Sequence, residues 1–320
     1  MAFFVNFSYS FRSTDNTIFS KNTYSVLFFR HPVRENQRID KLQEIIWAEG
    51  NWKPIMAQGY GIVPVDFTIY RRTAVKKLKT KAYVSDANRA VPAVPIGMIA
   101  SVGEVNGQRV ALLKDVVLAD LSVNEGAEHK KQLYKQVATV LGKDEIAVFD
   151  AGFKLVEATE VDIERCLIRL AKNCTFGKTA GRIPERTSEK GRIPSQYKAE
   201  IVRPLARQHG GKTLPATAAD KICTMTDESE REIEVHIWYK LYFLERQLSA
   251  VTNKRKKHEL RHMPLKVMAI YDPDYDEPLL VGTPLLSLEP DAAYKIYVTR
   301  WPVEGLPQAG KYITNGASLK

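Results

Sequence analysis

Ser101-Val102-Gly103-Glu104-Val105-Asn106-Gly107-Gln108-Arg109-Val110-Ala111 joins two segments rich in strand-forming residues, Ala93–Val105 and Arg109–Ala119. Asn and Gly both tolerate positive φ, so Asn106-Gly107 predicts a tight antiparallel hairpin. Downstream, Asn124–Leu141 carries Ala127, Leu133, Tyr134, Val137, Ala138 and Leu141 on helical spacing, and Gly142 suits its C-terminal stop. Ile146-Ala147-Val148-Phe149 then reads as a short buried strand with Asp150 at its end. A helical stretch over Val156–Glu164 leads to a further strand at Cys166–Leu170. Upstream, Ile62-Val63-Pro64-Val65 is another buried strand ending in Asp66, with Pro64 tolerable near its start or at a bulge. Strand, long hairpin, helix, strand, helix, strand predicts an α/β fold: a mixed sheet with helices on its faces.

Outward from this region the text changes. Residues 1–55 show only a short apolar run at Tyr24–Phe29 and helical spacing at Asp40–Ala48. From Ala171 to His262 there are 19 Lys and Arg against 11 Asp and Glu, which is +8 of the chain's net +10. Glu234–Leu244 alternates as a strand with one wet face, and Lys254-Arg255-Lys256-Lys257 reads as a solvated turn. Leu265–Tyr271 and Leu279–Val281 read as strands, and Ser287 as the N-cap of a helix from Leu288 to about Trp301.

A net charge of +10 favours a polyanionic partner, because each cation set against a phosphate releases a condensed counterion. Cys166, Cys174 and Cys223 are odd in number and form no Cys-x-x-Cys pair, which argues against a disulfide framework and a zinc ribbon. His258 and His262 stand at i,i+4 without the cysteines or glutamate of a zinc motif. No run reaches the roughly 18 apolar residues of a membrane span, and Met1–Phe11 is unlike a signal peptide. The expected location is therefore the cytoplasm.

The chemistry-bearing string is Tyr297-Val-Thr-Arg300-Trp-Pro-Val-Glu304, followed after six residues by Lys311. On one ideal helix these four side chains fall within about 60° of arc. Pro302 and Pro307 bend that helix, and by spacing alone Arg300 and Glu304 also make an ordinary i,i+4 salt bridge on a solvated face.

Tyr-x2-Arg-x3-Glu-x6-Lys resembles the signature of the DDE transposases of bacterial insertion sequences, and Arg300-Trp301-Pro-Val-Glu304 is similar to the Arg-Trp-x-x-Glu core common there. The likeness covers roughly residues 56–315. It implies a ribonuclease H-like core, a mixed five-stranded sheet flanked by helices, with a β-rich insertion before the last catalytic helix. The implied segments are an N-terminal portion at 1–55, the core at 56–170 and 263–320, and a protruding basic insertion at 171–262. Asp66, Asp150 and Glu304 become the catalytic and metal-binding triad for two Mg2+ or Mn2+ ions. Asp86, Asp115 and Asp120 are rivals for the first place.

Carboxylate oxygens suit hard divalent ions, and two such ions serve in-line phosphodiester displacement. Tyr297, Arg300, Lys311 and Arg169 become DNA contacts. The implied partners are double-stranded transposon ends and target DNA, with a homodimer assembled on DNA in a nucleoid-associated setting. Relatives usually continue past the lysine and carry a longer N-terminal portion. A shortened, catalytically inactive relic that only binds DNA is thus the alternative, and a nuclease without strand transfer a third.

Overall fold

A computed structural model describes residues 52–71, 81–84, 88–105, 107–118, 126–181, 200–304 and 306. The chain divides into two units, one of Met1–Met56, Gly61–Val140 and Thr299–Lys320, the other of Ala57–Tyr60 and Leu141–Val298. Tyr24–Phe29, Asp40–Ala48, Asp86, Asp120 and Lys311 lie outside the described residues.

The first unit is built on antiparallel strands: β1 (Lys53–Pro54), β2 (Tyr60–Arg71), β3 (Lys81–Val84), β4 (Arg89–Val105) and β5 (Gln108–Leu118). β4 is the hub and pairs with the other four. Gly107 takes φ +78°, as the hairpin requires, and Val105 pairs with Gln108 across it. Asp66 does not end its strand. Because β4 is 17 residues long, it offers partners from Val65↔Ile99 as far as Arg71↔Ala93, and β2 runs five residues past Asp66.

Directly opposed residues leave an antiparallel sheet on the same face. Asp66, Met98 and Val116 are aligned in this way, and Met98 belongs to a buried cluster with Ile96, Ala100, Ala111, Val303 and Leu306. The chain after Arg300 therefore packs on the Asp66 face. Phe67↔Gly97↔Val117 and Val65↔Ile99↔Asp115 point the other way, toward α1 (Gly126–Val140). Gly97 permits a close approach there, since a Cβ would sit 2.7 Å from the Leu133 side chain. The His129 ring lies 5.2 Å from that of Phe67, and the Gln136 amide donates to Asp115 Oδ2.

In the second unit β6 (Glu145–Phe149) runs parallel to β7 (Cys166–Arg169), joined through α2 (Leu155–Glu160). Two short pairs follow, β8 (Phe176–Gly177) with β9 (Ile201–Val202), and β10 (Arg207–His209) with β11 (Lys212–Leu214). β12 (Lys221–Thr226) and β13 (Glu232–Leu241) precede α3 (Glu245–Leu248) and α4 (Lys254–His262). β14 (Leu265–Tyr271), β15 (Leu279–Thr283) and α5 (Pro290–Thr299) complete the unit. The sheet order is β6-β7-β15-β14-β13-β12, all antiparallel except the first pair. The architecture is mixed α/β.

Within 171–262, β12 and β13 extend the sheet of β14, while β8–β9 and β10–β11 form two-stranded sheets of their own. Two expectations are corrected. Lys254–Lys257 opens a helix rather than a turn, with the Asn253 side chain accepting from the Lys256 N–H at 3.1 Å. The C-terminal helix begins at Pro290, where a missing N–H costs nothing, and stops at Thr299 before a turn and a short helical piece at 302–304. Pro302 explains the break: its ring opposes the carbonyl four residues back, and it disfavours helical geometry at Trp301. The single-helix arc from Tyr297 to Glu304 is therefore not formed.

One buried lysine sets the entry to α5. Lys266 is 1% exposed, and its Nζ donates to the Leu288 carbonyl at 2.6 Å. Burial pushes its pKa down, while backbone oxygen acceptors satisfy the ammonium.

Candidate active site

Parallel pairing brings together the candidate residues of the second unit. The register Phe149↔Ile168 brings the next residues, Asp150 and Arg169, level at the ends of β6 and β7. Arg169 Nη1 donates to Asp150 Oδ1 at 3.4 Å and to the Tyr297 hydroxyl oxygen at 3.4 Å. The Tyr297 hydroxyl in turn donates to the same Asp150 oxygen at 3.1 Å. Tyr297 is 5% exposed, so its ring is fixed by packing and only its polar tip reaches the carboxylate. The Asp150 and Arg169 side chains are 38% and 43% exposed, open to solvent and to a ligand.

In the first unit, Asp66 is half-buried, and its Oδ1 accepts the Phe67 N–H at 2.7 Å. Glu304 follows the break after α5, and Arg300 Nη1 donates to its Oε1 at 2.9 Å. This is the i,i+4 pair that the spacing allows, but its face is not solvated. Arg300 is 3% exposed, with its guanidinium 4.8 Å from the Trp301 ring centre, whereas the Glu304 side chain remains 39% exposed. Arg300 thus presents Glu304 from beneath. Asp66 and the 300–306 segment share a sheet face, and Asp115 does not. Asp115 is 4% exposed, holds its amide bond to Gln136 and accepts the Val116 N–H at 2.7 Å.

Asp66, Asp150 and Glu304 offer only carboxylate oxygen, the donor type that suits Mg2+ or Mn2+. Each is partly exposed and already engaged by a donor of its own unit. Among the described residues no three His, Cys, Asp or Glu side chains are grouped as a cage for an ion. The His258 and His262 rings lie tilted at 4.7 Å between centres on α4, and among the described residues they gather no further ligand.

The basic string on α4 is largely neutralised. Lys256 pairs with Asp162, Lys257 and Arg261 pair with Glu245, and Arg255 pairs with Glu259 at 3.1 Å. Burial would raise the Glu245 pKa, but Lys257 and Arg261 outweigh it and hold the carboxyl below its usual range. The three cysteines are free thiols, and burial pushes the Cys166 thiol far up, leaving it inert. Among the described residues no helix is long and apolar enough to cross a membrane.

Sequence reasoning missed that Arg300 is buried and that one Asp150 oxygen is shared by Arg169 and Tyr297. Trp301 beside the arginine was the available signal for the first. Nothing in the spacing announces the second.

No protein-family model and no curated protein matches the chain. Among solved structures it is similar to the NurA nuclease from Sulfolobus solfataricus, at 9% identity and a TM-score of 0.30 over 94% of this chain and 100% of that one. A structure of NurA with manganese is similar at 13% identity and a TM-score of 0.15, over 38% of this chain and 30% of that one. Likenesses of this size assign neither fold nor activity.

Proposed function

We propose that this chain is a DNA transposase of the DDE type, cleaving transposon ends and joining them to a target, on a ribonuclease H-like core. The observation that carries the reading is the hydrogen bond from Tyr297 to Asp150. The signature selected the tyrosine and the strand pattern selected the aspartate, 147 residues apart, yet the two side chains touch. The common sheet face of Asp66 and the segment bearing Glu304 supports it further. So does the order of elements, in which the antiparallel strands β2, β4 and β5 precede α1 and two parallel strands joined through α2 follow.

Asp66, Asp150 and Glu304 would hold two Mg2+ or Mn2+ ions, which supply activation of the attacking hydroxyl and stabilisation of the leaving oxygen. The chain's own groups do the rest. Arg169 and the Tyr297 hydroxyl stand at the rim of Asp150 with N–H and O–H donors suited to phosphate oxygens. Buried Arg300 orients the Glu304 carboxylate from below. The excess of +10 charges draws the duplex to the protein, and a homodimer on paired ends is the assembly this chemistry calls for.

The test is a nicking and joining assay on plasmid DNA with Mg2+ or Mn2+, run beside Asp150→Asn. Metal-dependent nicking that Asp150→Asn abolishes supports the reading. Binding without nicking indicates an inactive relic. Nicking without joining of a 3′ end indicates a nuclease.

A further inference from the structure

One stretch of the second unit carries cations without carboxylates. Residues 203–219 contain Arg203, Arg207 and Lys212 and no Asp or Glu. Among the described residues none of the three is paired with a carboxylate. On α4, by contrast, Arg255, Lys256, Lys257 and Arg261 all are.

The stretch is anchored at its base and open at its tip. The Arg203 N–H donates to Thr217 Oγ1 at 2.9 Å, and the Thr217 N–H to the Arg203 carbonyl at 2.8 Å. Trp238 Nε1 donates to the Ala218 carbonyl at 3.0 Å and fastens this base to β13. Arg207 Nη1 donates to the Asn173 carbonyl at 3.0 Å. From there β10 and β11 form a ribbon with the register Arg207↔Leu214, Gln208↔Thr213 and His209↔Lys212. Gly210 and Gly211 turn it at φ +56° and +74°, as a two-residue hairpin requires. A Cβ on either glycine would meet no atom within 4 Å, and residues 208–213 are all exposed.

From this geometry we infer that the β10–β11 ribbon is a duplex-gripping arm, which enters a groove of DNA and sets Lys212 against a backbone phosphate. The inference rests on DNA being the substrate, as proposed above, and names the element that holds it. The dimensions agree. Three residues at about 3.4 Å each give a ribbon of about 10 Å, and the major groove is about 8.5 Å deep and wide enough for two strands. The side-chain-free tip lets backbone N–H groups come close to phosphate oxygens. Residues 203–219 hold no Phe, Tyr or Trp, so the arm lacks the stacking platform that single strands require. None of its large apolar side chains is exposed, so it lacks the anchor of a protein-binding surface. Gln208 is engaged with Thr213 at 2.8 Å, leaving phosphate contact as the dominant contribution and binding insensitive to sequence.

The experiment uses the full chain in EDTA, with a fluorescein-labelled duplex and the matching single strand, and follows anisotropy between about 50 and 200 mM NaCl. Lys212→Ala should weaken duplex binding about five- to tenfold and lower the slope of log affinity against log salt by about 0.9, the loss of one phosphate contact. Lys212→Arg should keep both, and the thermal midpoints of both variants should match the native chain. Arg255→Ala removes one charge from α4, where Glu259 already neutralises it, and should leave affinity and slope unchanged. An unchanged slope in Lys212→Ala, or an equal loss in Arg255→Ala, overturns the arm and leaves the proposed function standing. Single strands bound as tightly as duplex, with the same dependence on Lys212, overturn the groove fit. Lys212-dependent duplex binding by a chain that neither nicks nor joins DNA supports the arm and overturns the proposed function. Absence of any DNA binding overturns both.

Discussion

The Tyr297 hydroxyl donates to Asp150 Oδ1 at 3.1 Å across 147 residues of sequence. Tyr297→Phe keeps the buried ring and removes one hydrogen bond to a half-exposed carboxylate. Its stability cost should stay near 0.5–1.5 kcal/mol, read as a small shift in the thermal midpoint. Metal-dependent nicking should fall at least about tenfold, since a lost transition-state contact of about 1.4 kcal/mol is worth that factor. Wild-type nicking would remove Tyr297 from the site.

Glu304 and Arg300 should respond differently although they are bonded to each other. In Glu304→Gln the amide oxygen still accepts from Arg300, and the site is 39% exposed, so stability should change by less than about 1 kcal/mol. Nicking should nevertheless collapse while duplex binding persists, because the charge that holds an ion is gone. Arg300→Ala empties a buried position under Trp301 and should cost about 2–3 kcal/mol in urea denaturation. Mild and equal effects on stability and nicking in both variants would reduce the pair to a local salt bridge.

The first acid of the triad can be settled by comparing Asp66 with Asp115. Both Asp115 oxygens receive N–H donors, from Val116 and Gln136, so Asp115→Asn turns an NH2 toward one donor in a buried place. A loss of about 1–3 kcal/mol is expected, with nicking retained in whatever protein remains folded. Asp66→Asn should do the reverse, with nearly native stability and no nicking. The opposite pattern would transfer the role to Asp115.

Gly97 is where α1 comes closest to β4. Gly97→Ala places a Cβ 2.7 Å from the Leu133 side chain and should destabilise by about 1–3 kcal/mol. Adding Leu133→Ala should recover part of the cost of Gly97→Ala, giving a favourable coupling in a double-mutant cycle. Additive losses would mean that the helix does not rest on this glycine.

His129, 3% exposed, carries a pH dependence. Burial lowers its pKa from 6.5 to about 4, so between these values the unfolded chain binds more protons than the folded one. Stability is complete above about pH 6.5 and is lost as pH falls toward about 4, by up to about 3 kcal/mol at about 1.4 kcal/mol per unit. Urea midpoints of the native chain and His129→Leu, compared at about pH 7 and about pH 4.5, check this. The variant should lose less on acidification, and a parallel loss would assign the acid sensitivity to carboxylates alone.

Much of the local structure was legible because it depends on near neighbours in the chain. Asn106-Gly107 specified its turn, since positive φ is a property of those two residues, and Gly107 takes it. Apolar spacing located α1, and short apolar runs located β6 and β7, because burial of one face is written as a period. Pro302 announced the break after α5, though not that Tyr297 and Glu304 would fall in different units. What required the tertiary structure was everything set by pairing between distant strands. β2 extends past Asp66 only because β4 is long enough to hold it, and Asp115 faces α1 only because the register aligns it with Ile99. The neutralisation of Lys256 by Asp162 and of Lys257 by Glu245 was unreadable for the same reason, since a charge run does not name its partners. Sequence determines which residues have the chemistry and the local conformational freedom. Register and packing decide which of them share a face, because a shift of one residue in a strand sends every side chain to the other side.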